Sequence, residues 1–296
     1  MDENEWLAER FDAHRSHLRA VAYRMLGSMS EADDAVQGTW LRLTRSHGES
    51  IENLGGWLTT AVARECLDML RSRRARREDA LGVHIPDPIL SRLDGPDPEE
   101  EILVADSVGL ALLVVMERLA PAERIAFVLH DVFAMPYSEI APIVGRSGTA
   151  ARQLASRARR RVRSEGAVVE NGDVASQAKV IKAFLAAARS GDFDGLLEVL
   201  DPDVVVRADS GGMPGGISGE IHGSEEVANQ ALLFSRRLGR FARLVLVNGA
   251  PGVVAVSGDR LRSVMGFTVR GKRIVAIDIL ADPDRLRRVD LAFLDE

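Results

Sequence analysis

The sequence has a single cysteine, Cys66, and no long apolar run in its 296 residues. One cysteine excludes an intramolecular disulfide framework and a cysteine-based metal cluster. The neighbours of Cys66, which are Val62, Leu67 and Leu70, predict a buried and unreactive thiol. A membrane span needs roughly 20 apolar residues in a row, and no such stretch and no signal peptide is found. We therefore expect a cytoplasmic protein with no membrane partner.

An excess of positive charge is also lacking, because 44 acidic side chains outnumber 38 basic ones and the formal net charge is −6. This balance argues at first against a nucleic-acid partner, but the charge is unevenly distributed. Residues 78–106 carry nine acidic side chains and one arginine, whereas residues 107–170 carry nine arginines and six acidic side chains. A basic module therefore follows an acidic linker, and the total charge hides that asymmetry.

The stretch from Leu119 to Arg163 predicts three short helices, with a tight turn between the second and third. Gly145 suits the left-handed residue that ends the second helix. Ser138 can cap the start of that helix, and Ser147 can cap the start of the third. The last helix places small apolar residues on one face and Arg, Gln and Ser on the other. This is the layout of a helix-turn-helix, whose second helix enters the major groove. A helical hairpin with a solvated basic face has the same local pattern, so the stretch alone leaves both readings open.

Three amphipathic helices are predicted ahead of that stretch. The first covers residues 5–28, and Ser30 is predicted to cap the second, which carries acids in its first turn. The third opens at Gly56-Trp57 and ends in five arginines within seven residues. A basic helix end suits either solvent or phosphate groups, so it decides nothing by itself.

Three motifs in this order resemble a bacterial RNA polymerase sigma factor. The run from Glu31 to Gln37, followed by Trp40 to Leu43, is similar to the helix of that family that binds the polymerase clamp. Trp57-Leu58, Cys66-Leu67-Asp68 and Leu70-Arg71 are similar to its promoter-melting helix. The stretch from Leu119 to Arg163, with its Ser156-Arg157-Ala158-Arg159 run, is similar to its C-terminal helix-turn-helix. The missing intermediate domain is typical of the extracytoplasmic-function (ECF) group.

The resemblance covers about residues 5–165 and implies two partners, core RNA polymerase and promoter DNA. It implies polymerase contacts at Asp33, Asp34, Gln37 and Trp40. It implies contacts to the −10 region at Trp57, Arg64, Asp68, Arg71, Arg73 and Arg74, although many members of the family have Asn at the position of Arg64. It implies contacts to the −35 element at Arg146, Ser147, Thr149, Arg152, Gln153, Ser156, Arg157 and Arg160. The loop 47–56 is then the expected place for a flipped base.

The linker, residues 78–107, is acidic and contains four prolines, which favour extended backbone. Two readings stay open for it: a solvated tether, or a nucleic-acid mimic that threads the basic channels of polymerase. Thirty residues reach at most roughly 100 Å. Two and a half turns of duplex need about 85–90 Å, so length does not limit promoter binding.

From about Asn171 the pattern changes to a helix, a short helix and a strand, a further long helix and four antiparallel strands. This order resembles the SnoaL-like, ketosteroid-isomerase-like cone, and sigma factors with such an extension form an ECF subgroup. The expected fold is therefore multidomain: two all-α domains, at 5–77 and 108–165, followed by an α+β cone at 174–296. The resemblance also points to a regulatory loop at Asp209, Gly211, Gly212 and Met213, where the subgroup has Lys in place of Met213.

Cone folds often hold an acid–base pair, and the candidates are Asp209, His222 and Asp278. Fold alone does not confer catalysis, so we expect no enzyme, no cofactor and no metal site. We expect a sigma factor that is regulated in cis, through contact of its C-terminal domain with the sigma domains or in response to an unidentified small ligand. The alternatives are a ligand-responsive one-component repressor and a cone-fold enzyme fused to a helical interaction module.

Overall fold

The computed structural model describes residues 3–46, 51–76, 83–93, 109–165, 173–212, 218–238, 241–258, 260–289 and 291. The chain divides into two compact units. One consists of residues 1–80 and 115–165, and the other of residues 81–114 and 166–296. The predicted domain at 5–77 and most of the one at 108–165 thus lie in one unit, while residues 109–114 and the described part of the linker belong with the C-terminal domain. None of the helices in the described ranges is long and apolar enough to cross a membrane.

The first unit begins with three helices: α1 (Glu3–Leu26), α2 (Met29–Arg45) and α3 (Leu54–Arg76). Ser28 and not Ser30 precedes α2 as its N-cap residue. Helix α3 starts before the predicted Gly56, because the Asn53 side chain accepts a hydrogen bond from the Gly56 amide at 3.0 Å and so caps the helix. Cys66 is fully buried as predicted, and burial raises the pKa of its thiol far above the usual value.

Helix α4 (Leu110–Glu117) begins in the second unit and enters the first unit at Val115. The first unit then continues through α5 (Pro121–Phe127), a π-helical turn (Val128–Val132), α6 (Tyr137–Val144) and α7 (Gly148–Ser164). The predicted turn is present. Gly145 has φ +68°, and the Ser147 hydroxyl accepts from the Ala150 amide at 3.2 Å. Helix α6 begins at Tyr137, after Pro136, and not after Ser138 as expected. These caps give α6 and α7 the helix-turn-helix order that the sequence predicts.

The second unit contains α8 (Val174–Ser190), α9 (Phe193–Val199), α10 (Ser224–Leu238) and the short α11 (Pro283–Leu286). Its strands are β1 (Leu90–Ser91), β2 (Leu200–Asp209), β3 (Gly219–His222), β4 (Ala242–Val247), β5 (Ala250–Ser257), β6 (Arg260–Arg270) and β7 (Arg273–Leu280). Within the described residues they form one seven-stranded sheet in the order β1-β4-β5-β6-β7-β2-β3. Only the β2–β7 pair is parallel. This α+β domain after two helical modules confirms the predicted fold class.

The two faces of the sheet bury different partners. One face, called the helix face below, packs Val204, Phe267 and Ile277 against α8, α9 and α10. The other, called the linker face, packs Val247, Val264 and Leu280 against residues of the linker and α4: Ile85, Leu90, Leu110 and Val114. The described part of the linker is therefore part of a hydrophobic core, and it is not a solvated tether, which is one of the two readings that its composition left open.

Candidate nucleic-acid and protein interfaces

The recognition helix α7 separates its residues by polarity. Ala151, Ala155, Ala158 and Val162 are buried. The opposite side presents the predicted DNA contacts: Arg146, Ser147, Thr149, Arg152, Gln153, Arg157 and Arg160 are exposed and Ser156 is half-buried. The structure thus brings this predicted set together on one surface. Arg and Gln side chains placed in this way suit bidentate contacts to guanine and adenine edges.

Two of the arginines on α7 contact Tyr137, a residue that the sequence did not single out. The Arg152 guanidinium carbon lies 5.4 Å from the centroid of the tyrosine ring. Arg159 donates to the Tyr137 hydroxyl at 3.3 Å and to Asp131 at 3.0 Å. Burial by itself lowers the pKa of Arg159, but Asp131 and Tyr137 outweigh it and the pKa is raised. The charge of Arg159 is therefore secured by its neighbours.

Helix α3 presents most of the predicted −10 residues to solvent. Arg64, Asp68, Arg71 and Arg74 are exposed, and Trp57 is half-buried near the start of the helix. Asp68 and Arg71 form an exposed ion pair at 3.5 Å, which contributes little to stability. Most of this set is therefore accessible from solvent.

Arg73 departs from the rest of the predicted −10 group. Its side chain is only 13% exposed and pairs with Glu31. It also donates to the Leu26 carbonyl at 3.1 Å and to Glu117 at 3.5 Å. In this conformation Arg73 is an internal contact of the first unit and does not join the exposed residues of α3.

The Glu117 carboxylate is the centre of that contact, which we call the Glu117 junction. Besides Arg73 it accepts a 2.6 Å bond from Arg124, whose side chain is 2% exposed. Arg73 belongs to the predicted −10 helix and Arg124 to the predicted −35 module. One buried carboxylate therefore ties the two helical modules together. Arg24 lies 4.9 Å from the Phe133 ring and His17 packs edge-on against it, which extends the same contact.

A groove of about 480 Å³ runs between α1 and α2. It contains three of the predicted polymerase contacts, Asp33, Gln37 and Trp40, while Asp34 is exposed outside its lining. Helix α1 supplies residues that sequence reasoning missed: Phe11, Arg15 and Arg19. Phe11 packs on Trp40 with ring centroids 5.1 Å apart, and Arg19 donates to Asp33 at 2.7 Å. The lining of the groove thus combines two aromatic side chains with charged ones.

Asp209, from the predicted regulatory loop, fastens the linker to the sheet. Its Oδ2 accepts from the Ile85 amide at 3.1 Å and from Arg285 at 2.9 Å, and lies 3.4 Å from His84 Nδ1. Arg285 also donates to Asp87 at 2.9 Å. We call this set the Asp209 dock. Burial alone raises the pKa of Asp209, but the bonds from His84, Ile85 and Gly211 and the charge of Arg285 lower it below the usual value.

The rest of the linker continues this attachment. Leu90 and Ser91 pair with Val247 and Leu246 as an antiparallel strand. Asn248, in the left-handed conformation at φ +51°, exchanges two bonds with Ile89: its amide donates at 2.8 Å and its side chain accepts at 3.2 Å. The described part of the linker thus binds its own domain, where the sequence predicted a free tether or a polymerase-threading segment.

Gly211 and Gly212, the next residues of the predicted loop, have φ +64° and +76°. A Cβ on Gly211 would lie 2.5 Å from the Asp282 carboxyl carbon, so this position requires glycine. Met213 lies outside the described residues, as does the His47–Ser50 part of the predicted base-flipping loop.

The three acid–base candidates do not form a catalytic group. Asp278 is 1% exposed and bonded to Arg207 at 3.1 Å, and Asp209 belongs to the dock. His222 is 65% exposed beside Glu220. Asp209 and Asp278 alternate with residues of the helix face, so they lie on the linker face and not among the helices of the cone. Across the described ranges no cluster of His, Cys, Asp and Glu could hold a metal ion.

Comparison with known proteins identifies two family matches in the helical part of the chain. Residues 10–76 match the family described as Sigma-70 region 2, and residues 109–162 match Sigma-70, region 4. The chain is 38% identical over 286 residues to the ECF RNA polymerase sigma factor SigJ of Mycobacterium tuberculosis, covering 93% of this chain and 91% of that protein. It is 34% identical over 289 residues to the probable ECF RNA polymerase sigma factor SigI of the same species, covering 97% of each. The crystal structure of SigJ superposes with a TM-score of 0.77 at 35% identity, over 96% of this chain and 99% of that one.

Proposed function

The chain belongs to the ECF group of RNA polymerase sigma factors. We propose that it binds promoters at the −10 and −35 elements through its two helical modules, and that its C-terminal domain controls the distance between these modules. The chain works with core RNA polymerase and promoter DNA in transcription initiation. The proposed domains are region 2 at 5–77, the linker at 78–107, region 4 at 108–165 and the SnoaL-like domain at 174–296. Its place of action is the cytoplasm, where core polymerase meets the chromosome.

The −35 element is read by α7. The observation that carries this part is the exposed row of Thr149, Arg152 and Gln153, with the half-buried Ser156 beside it, opposite a buried alanine face. Arg152 and Gln153 suit base edges, while Arg146, Arg157 and Arg160 suit phosphate oxygens. Ser147 contributes by capping α7, since the N-terminus of a helix favours a nearby phosphate.

The −10 region is opened by α3. Its exposed basic side chains suit the backbone of the displaced strand, and Trp57 offers a surface on which a base can stack. Arg73 joins this set only after the Glu117 junction opens, because the same guanidinium cannot serve both Glu117 and DNA. The groove with Phe11 and Trp40 receives the clamp of core polymerase, with Asp34 at its border.

Control in cis acts through the linker. A fully extended linker of 30 residues reaches at most roughly 100 Å, only slightly more than the about 85–90 Å between the two promoter elements. A docked linker cannot extend fully, because Ile85, Leu90 and Leu110 all pack into the same core of the second unit. Its reach then falls below the distance between the two promoter elements. Undocking at Asp209 restores the reach, and a ligand of that domain would act by shifting this equilibrium. The cone is in this view a control device and not an enzyme.

In vitro transcription with core polymerase tests the proposal directly. The full chain, Asp209→Asn and a chain truncated after residue 170 are compared at promoters whose −35 to −10 spacing is varied. We expect specific transcripts only when core is present, and a wider tolerated range of spacings for Asp209→Asn. The same spacing profile for all three proteins would refute control by the linker. A specific footprint without core would instead support a one-component repressor.

A further inference from the structure

Tyr137 lies where the first helix of the helix-turn-helix meets the recognition helix. It is the first residue of α6, and its side chain is half-buried. Its ring supports the guanidinium of Arg152, with 5.4 Å between the guanidinium carbon and the centroid. Its hydroxyl accepts from Arg159 at 3.3 Å. Arg152 and Arg159 are two helical turns apart on α7, so one tyrosine contacts both from the same side.

The tyrosine ring is itself held in one orientation. His130, from the π-helical turn, stacks on it with centroids 4.0 Å apart and an interplanar angle of 27°. His130 Nδ1 lies 3.1 Å from the Met135 carbonyl oxygen, which fixes the imidazole. Asp131 accepts from Arg159 at 3.0 Å and fixes the arginine that binds the hydroxyl. The platform is therefore complete before any DNA is bound.

An arginine on the surface of a free helix samples many rotamers, and it loses that freedom when it makes a bidentate contact to a base. A guanidinium that packs on an aromatic ring has already lost part of this rotamer freedom. The N–H groups at the edge of its plane remain available to a base. Arg152 combines the two conditions, since it contacts the ring and remains exposed.

We propose that Tyr137 is a positioning residue for sequence reading: it holds the Arg152 guanidinium in the orientation that selects one base pair of the −35 element. The inference rests on the proposed role of Arg152 as a base-reading residue. A tyrosine that merely stabilised the start of α6 would affect every promoter sequence alike. A positioning residue affects discrimination at one base pair and leaves the other positions unchanged.

The experiment uses the full chain with core polymerase and a promoter library randomised across the −35 element. Arg152→Ala identifies the base pair at which preference is lost. Tyr137→Ala is expected to weaken the preference at that same base pair roughly two- to fivefold, the size of an exposed guanidinium–ring contact. Tyr137→Phe keeps the ring and is expected to keep most of the preference. The double substitution should match Arg152→Ala alone, because the platform has nothing left to position.

Ser138→Ala, at the exposed neighbouring residue of α6, is the matched control and should leave the sequence profile unchanged. Tyr137→Leu is included in case the alanine variant is unfolded, since it fills the site without offering an aromatic face. If Arg152→Ala shows no base-specific loss, the proposed role of Arg152 fails and the inference fails with it. If Arg152→Ala shows that loss but both Tyr137→Ala and Tyr137→Leu reduce transcription equally on all sequences, Tyr137 is structural and the inference alone is refuted.

Discussion

The two units of the molecule each contain a buried arginine–carboxylate cluster. The clusters differ in how many of their hydrogen-bonding groups have a partner. In the Asp209 dock, the carboxylate receives backbone amides as well as Arg285, and the linker adds strand pairing and apolar burial. In the Glu117 junction, two arginines share one carboxylate, and within the described residues Arg124 Nε and Nη2 lack a hydrogen-bond partner.

This difference indicates that the Asp209 dock is harder to break than the Glu117 junction. Burying a charge costs free energy, which is offset only when its remaining hydrogen-bonding groups are satisfied. The Asp209 dock meets that condition, so its contacts should persist until a ligand or a change at Asp209 weakens them. The Glu117 junction meets it only in part, so it suits a contact that polymerase binding can break.

The largest effect is expected from Asp209→Asn. The amide loses the charge that Arg285 contacts and turns an N–H group towards existing donors, so docking should weaken by about 3 kcal/mol, as when one partner of a buried pair is removed. Hydrogen exchange at the Ile85 amide measures this, since that amide donates to Asp209. Asp284→Asn, which alters an exposed pair with Arg287, is the control. Unchanged protection at Ile85 would show that strand pairing alone holds the linker.

A smaller and graded effect is expected on acidification. The pKa of Asp209 is lowered in the folded protein, so its contribution is fully present above the unfolded value of about 4 and is lost as pH falls through the folded pKa. Protection at Ile85 should therefore decline at acid pH in the native chain. The decline should be absent in Asp209→Asn, where nothing at this position titrates. An equal decline in both proteins would assign it to other carboxyl groups.

The smallest effect is expected from Glu117→Gln. The substitution keeps an oxygen acceptor for the Arg124 guanidinium, which remains charged, and removes only the negative charge of the carboxylate, so we expect a cost of about 1 kcal/mol. The exposure of Arg73 should rise, and chemical modification of arginines followed by mass spectrometry measures it. Glu165→Gln, at an exposed pair with Arg118, serves for comparison. A loss as large as that of Asp209→Asn would show that the two clusters are equally strong.

Local features of the fold could be predicted because they depend on residues close in sequence. Strands β4 to β7 follow from alternating apolar residues and the turn at Gly271, and α7 follows from its cap and its alanine face. The contacts that decide function could not be predicted in the same way. Arg73 and Glu117 are 44 residues apart, and Arg159 and Tyr137 are 22 residues apart. Their pairing depends on how helices pack, which periodicity does not encode.

The linker illustrates the same limit. Its prolines predict extended backbone, and within its described part Leu90 and Ser91 form an edge strand. Its acidic composition suggested contact with solvent or with polymerase. One of those acids, Asp87, is instead held by Arg285, far along the chain, and no local signal marks it.

The separation of 198 residues between Asp87 and Arg285 has a consequence for synthesis. The helical modules and the linker leave the ribosome long before α11, which carries Arg285, exists. At a synthesis rate of 5–20 residues per second, roughly ten to forty seconds pass between the synthesis of Asp87 and that of Arg285, its partner in the dock. During each round of translation the promoter-binding helices therefore exist for a time without their restraint, and a message or chain cut short before α11 would leave that restraint permanently unmade.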